Sequence, residues 1–114
     1  MKKATLYLTA LLLLATTPAH ACQGKVVGVA DGDTITVMHN GRGEKIRLYG
    51  VDTPEKKQDF GQRAKQFTSD MACGKIVDVE PIAIDRYGRT VGIVRIGGKR
   101  LNEELYSIQP AEAL

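Results

Sequence analysis

Between residues 25 and 49 the chain runs through three short stretches rich in β-branched residues, with turn dipeptides between them. Val26, Val27 and Val29 lie in residues 25–30, which Asp31-Gly32 ends; Ile35, Thr36 and Val37 lie in residues 34–39, which Asn40-Gly41 ends; residues 44–49 complete the series. Branching at Cβ stiffens χ1 and suits a pleated, half-buried backbone. Asn-Gly supplies the two positive φ angles of a two-residue hairpin. Side chains alternate across a strand, so Ile46 and Leu48 share one face and Lys45, Arg47 and Tyr49 the other. This pattern predicts a three-stranded antiparallel meander.

Beyond it the period changes. Thr53-Pro54 can open a helical turn, with Thr53 as N-cap and Pro54 at the first helical position. Residues 56–61 are polar and read as a loop. Residues 62–72 have helical composition, with Ala64, Phe67 and Met71 on one face and Gly74 as the stop. Residues 75–81 alternate as a fourth strand and residues 90–96 as a fifth. Gly97-Gly98 is a turn, and residues 101–106 start a second helix with Asn102 near its beginning. A meander, a helix and two more strands is the order of a five-stranded Greek-key barrel of the oligonucleotide/oligosaccharide-binding type, a mainly β, α+β fold.

The first residues read as an export signal. Met1-Lys2-Lys3 is basic, residues 6–15 are almost wholly apolar, and Ala19-His20-Ala21 places small residues where a signal peptidase checks. The apolar run is shorter than the ~20 residues a membrane span needs. Cleavage is expected after Ala21, giving a periplasmic or secreted protein with no stable membrane association. Cys22 at the new terminus also admits lipoprotein processing, which the residues before it fit poorly. The remaining 93 residues allow one small domain. The whole chain has 16 Lys+Arg against 13 Asp+Glu. Lys2 and Lys3 leave with the signal, so any affinity for a polyanion would have to come from local clusters rather than a global field. Cys22 and Cys73 are the two cysteines. In an oxidising compartment they are expected to pair, which stabilises by roughly 3–4 kcal/mol on the chain-entropy view.

Three segments carry chemistry. Asp31-Gly32-Asp33-Thr34 offers two carboxylates at a strand end, although on its own it reads as an Asx turn. Arg47-Leu48-Tyr49-Gly50-Val51-Asp52-Thr53-Pro54-Glu55 sets a guanidinium late in a strand and two carboxylates just past it. A guanidinium fork grips phosphate bidentately, while Thr53 and Glu55 also fit a simple helix cap. Asp85-Arg86-Tyr87-Gly88-Arg89 is a turn with two more guanidiniums and an aromatic ring. Hard oxygen ligands, a spare carboxylate and guanidiniums suit the hydrolysis of a phosphodiester beside a divalent cation.

In that order the three segments resemble the staphylococcal (micrococcal) nuclease family, the thermonucleases, from about Val26 to Leu105. The resemblance implies the same barrel and calcium-dependent cleavage of DNA and RNA, leaving 3′-phosphate ends. It implies calcium ligation by Asp33, Asp52 and the Thr53 carbonyl, with Asp31 close by. It also implies Glu55 as general base, and Arg47 and Arg89 as the groups that bind and stabilise the phosphate. Tyr87, Arg86, Lys56 and Lys57 are expected to contact substrate, Lys56 and Lys57 in place of a longer basic loop. The protein is expected to be a monomer. Past Leu105 the resemblance is expected to stop, as in a truncated or frameshifted tail, leaving apolar surface around Leu101 and Leu105 exposed. Two outcomes follow: an active nuclease, or a non-catalytic nucleic-acid-binding barrel or inactive remnant. The fold alone would also serve a carbohydrate- or protein-binding barrel, which gives no reason for five matched charged groups.

Overall fold

The alternation read from the sequence becomes a real sheet. The computed structural model describes residues 22–51 and 59–109. Strands β1 (Cys22–Asp31), β2 (Thr34–His39) and β3 (Arg42–Leu48) form the meander; helix α1 (Asp59–Ala72) follows. Then come β4 (Ile76–Ile84), β5 (Thr90–Ile96), a two-residue β6 (Lys99–Arg100) and helix α2 (Leu101–Ser107). The β2–β3 turn has φ of 51° at Asn40 and 77° at Gly41, which is the hairpin geometry the Asn-Gly pair predicts.

Strand order is β3-β2-β1-β4-β5-β6, with antiparallel neighbours throughout. The sheet then closes on itself. β3 also pairs in parallel with β5, joining Ile46 to Thr90, Arg47 to Val91 and Leu48 to Gly92. The result is a five-stranded mixed barrel with two helices, the fold class expected. Two register breaks in β1, at Val26/Gly28 and Val29/Asp31, bend that strand around the barrel. The inward residues Val26, Ile35, Val37, Ile46, Leu48, Val77, Val79 and Val94 are buried. Each such aliphatic contributes about 1.5–3 kcal/mol on leaving water.

The helices complete that core. The buried stripe on α1 runs through Ala64, Thr68 and Ala72, with Phe60, Phe67 and Met71 packed partly against the core. α1 begins at Asp59, about a turn earlier than the polar composition of 56–61 suggests, and this brings Phe60 onto the core. β4 likewise runs on past Pro81 to Ile84. A register break between Pro81 and Ala83 lets the sheet accept a residue with no N–H. β6 has no apolar alternation to announce it.

One expectation is refined and one corrected. Leu101 and Leu105 are themselves fully buried in the core cluster, where α2 packs on α1 and β5, and the apolar surface left exposed next to them is that of Tyr106 and Ile108. The Cys22–Cys73 disulfide is not formed, and both cysteines are free thiols. The antiparallel register explains this. Cys22 lies opposite Val79, deep in β4, whereas Cys73 precedes Gly74, whose N–H bonds the Val26 carbonyl. Four extended residues separate Cys22 from Val26, about 13 Å of strand, and a disulfide spans at most ~7 Å between Cα atoms. Accordingly, iodoacetamide added to unreduced, denatured protein is expected to label Cys73 fully by mass spectrometry. Labelling that requires prior reduction would restore the disulfide.

Candidate functional site

The parallel pairing of β3 with β5 decides what lies beside Arg47. Its register partner is Val91, and Arg89 stands two residues before Val91 at the mouth of β5. Two arginines 42 positions apart in the chain thereby line one open cavity of about 460 Å³, together with Asp85, Arg86 and Tyr87.

Each guanidinium is held by oxygen atoms of the protein. Arg47 Nη1 donates to the Val51 carbonyl at 2.6 Å and to the Leu48 carbonyl at 3.2 Å. It also lies 3.4 Å from Asp33 Oδ2. Asp33 Oδ1 in turn accepts from the Thr34 hydroxyl at 3.1 Å. Arg89 Nε donates to Asp85 Oδ2 at 2.7 Å. The other Asp85 oxygen accepts the Tyr87 and Arg89 N–H groups, both at 2.9 Å. One carboxylate therefore shapes the loop and fixes the arginine. Tyr87 is 70% exposed, with the Arg86 and Arg89 guanidiniums 5.3 Å and 5.4 Å from its ring centre. A ring flanked by two cations is aimed at solvent rather than at the core, as a surface for a base or sugar would be.

The carboxylate turn is held from behind by α1. Thr68 is wholly buried, and its hydroxyl donates to the Gly32 carbonyl at 2.7 Å. Gly32 is the residue that permits this approach, because a Cβ there would stand 2.7 Å from Ala64 Cβ. On the other side, the Asp33 carbonyl accepts the Leu48 N–H at 2.8 Å, which ties the turn to the end of β3. Asp33 and Arg47 are thus neighbours by backbone as well as by side chain. Asp31, at the end of β1, pairs with Thr34.

Of the residues expected in the site, the structure brings Arg47, Arg89, Tyr87 and Arg86 to one cavity and sets Asp33 against Arg47. Asp52, Thr53, Glu55, Lys56 and Lys57 lie outside the described residues. Among the described residues, no group of three carboxylates, histidines or cysteines gathers to hold a metal ion. Asp31 and Asp33 supply hard oxygens that fit a divalent cation in kind, and further ligands would have to come from beyond Val51. Sequence reasoning missed the positioning groups. Asp85 had a usable signal, since an Asp two residues before a Tyr-Gly turn and four before an Arg invites this loop. Thr68 showed only as a polar residue on an apolar stripe.

Burial raises the Asp85 pKa, but hydrogen bonds from the Arg89 N–H, the Arg89 guanidinium and the Tyr87 N–H outweigh it and hold the carboxyl below its ordinary value. A carboxylate depressed in the folded state stabilises above its unfolded pKa, and that contribution disappears as pH falls through the folded value. The Tyr87 and Arg89 amide resonances are expected to shift together on acid titration, with a midpoint below the usual ~3.9 of aspartate. A midpoint at or above that value would contradict the arrangement. Thr68→Val keeps the side-chain shape and strands the Gly32 carbonyl. It is expected to cost about 1–3 kcal/mol by urea denaturation with an unchanged slope.

Comparison with known proteins gives the geometry a context. A sequence model described as "Staphylococcal nuclease homologue" matches residues 45–108, three residues past the Leu105 limit expected above. A micrococcal nuclease of Shigella flexneri is 43% identical over 86 residues, 75% of this chain and 49% of its own length. A thermonuclease of Staphylococcus hyicus is 39% identical over 89 residues, 71% of this chain and 53% of its own. Protein ParB of Escherichia coli is 41% identical over 100 residues, 87% of this chain and 54% of its own. The chain spans about half the length of the curated relatives it matches.

Proposed function

The chain belongs to the staphylococcal nuclease family, and from that premise we propose that it is a calcium-dependent nuclease. It would hydrolyse phosphodiester bonds of DNA and RNA with little sequence preference and leave 3′-phosphate ends. The observation that carries this reading is the cavity in which Arg47 and Arg89 meet beside Tyr87, with Asp33 against Arg47. Two guanidiniums already held by protein oxygens, Arg47 through Nη1 and Arg89 through Nε, form a phosphate clamp, and an exposed ring beside them takes a base or sugar.

In this reading the arginines bind the phosphate and stabilise the charge that builds on its oxygens as water attacks. Because each is anchored before substrate arrives, little reorganisation is needed at the moment of reaction. Glu55 accepts the proton of the attacking water. Calcium would be held by Asp33, Asp52 and the Thr53 carbonyl, with Asp31 nearby, and would supply Lewis-acid stabilisation of the phosphate. Tyr87, Arg86, Lys56 and Lys57 hold the strand on either side. Phosphate and metal contacts carry no sequence information, hence the broad specificity. Residues 1–21 export the protein, which acts as a periplasmic or secreted monomer.

Plasmid degradation that needs calcium and stops on chelation tests the proposal. Arg47→Ala and Arg89→Ala should each lower kcat by about 10²–10³. Glu55→Gln should abolish turnover and leave DNA binding largely intact. Near-normal activity in Glu55→Gln would refute the assignment of the base. DNA binding without cleavage by the wild type would identify a non-catalytic nucleic-acid-binding barrel instead.

A further inference from the structure

We propose that Asn102 is a positioning residue for this site: its side-chain amide, at the start of α2, fixes the turn that holds Arg47. The inference rests on the nuclease reading above, because it concerns how that site is kept in register.

The argument begins where β3 ends. Parallel pairing with β5 stops at Leu48 opposite Gly92. One more bond follows, from the Tyr49 N–H to the Gly92 carbonyl at 2.9 Å, and the chain then turns at Gly50, whose φ is +75°. Past that point the Val94 N–H and the Tyr49 carbonyl have lost the strand that would have paired them, and buried backbone groups must find partners. Asn102 supplies them. Its Oδ1 accepts the Val94 N–H at 2.9 Å, and its Nδ2 donates to the Tyr49 carbonyl at 2.9 Å and the Gly92 carbonyl at 3.1 Å. The side-chain amide takes the place of the next peptide unit of β3. Both polar ends are satisfied in a residue only 7% exposed.

The consequence lies on the far side of the turn. Arg47 Nη1 holds the Val51 carbonyl at 2.6 Å. Residues 49–51 are therefore gripped from both sides, by Asn102 at Tyr49 and by Arg47 at Val51. A displacement of the Tyr49 carbonyl carries the Val51 carbonyl with it, and the guanidinium bonded there follows. The same short segment leads directly into Asp52, a proposed calcium ligand. Asn102 does not line the Arg47–Arg89 cavity. It acts through backbone, from an element otherwise outside the site. The amide suits the task because it offers donors and an acceptor together. A carboxylate in its place would face two carbonyl oxygens with no proton to give.

The test compares Asn102→Asp with Val77→Ala, a core substitution on β4 that destabilises the barrel but leaves the Asn102 hydrogen bonds to residues 49, 92 and 94 in place. Both are assayed with wild type in trimethylamine oxide sufficient to keep each folded by circular dichroism. Kinetics use a single-stranded oligodeoxynucleotide with calcium, and the Arg47 Nε–H resonance is followed by NMR. Asn102→Asp should lower kcat by up to about 10²-fold, with a smaller change in KM, and should move the Arg47 resonance. Val77→Ala should do neither. Equal kcat in the two variants, or an unmoved Arg47 resonance, would overturn the proposal. If Asn102→Asp does not fold in the osmolyte, Asn102→Ser takes its place under the same criteria. If wild type does not cleave, the nuclease reading fails, and the Arg47 resonance by itself decides the role of Asn102.

Discussion

The three-residue parallel pairing of β3 with β5 is the constraint on which this molecule turns. It converts an open antiparallel sheet into a closed barrel, which removes two edges that would otherwise be exposed. It also sets Arg47 opposite Val91, so that an arginine from the meander and an arginine from the later hairpin share one cavity. Without that pairing each would be an ordinary surface charge. The pairing is short because β3 leaves at Leu48, and its departure creates the buried backbone groups that Asn102 satisfies.

The helices are more than a cover for the apolar face. Each contributes one buried polar side chain to a turn that carries the site. Thr68 of α1 holds the Gly32 carbonyl, between the two carboxylates of the β1–β2 turn. Asn102 of α2 holds the Tyr49 carbonyl, just past Arg47. Buried polar groups are costly unless paired, so these contacts tolerate little displacement. Asp85 does the same work at the third segment with three hydrogen bonds from two residues. The charged groups at the surface thus rest on directional bonds behind them, and preorganisation of this kind is what a phosphate clamp needs.

Much of the barrel could be read directly from the chain. Alternation placed Ile46 and Leu48 inside and Arg47 on the other face, and Asn40-Gly41 marked its hairpin, because these depend on local sterics and a period of two. The candidate phosphate-binding residues were equally legible, since Arg47, Tyr87 and Arg89 sit in compact motifs. What could not be read depended on which strand lies opposite which. The cysteine pairing was misjudged because an antiparallel register sends Cys22 toward Val79 and away from the end of α1. The complete burial of Leu101 and Leu105 could not be read because nothing in the local sequence reveals that α2 folds back onto α1 and β5.

By itself, then, the sequence determined the strands, the turns, the first helix and the identity of the charged groups, because each follows from local conformational preference or from side-chain chemistry. The tertiary structure decided that Arg47 and Arg89 face one cavity and that both cysteines stay free. It also decided that Thr68, Asp85 and Asn102 brace the turns. Those outcomes depend on barrel closure, which brings together residues far apart in the chain through backbone pairing that is indifferent to the side chains it aligns.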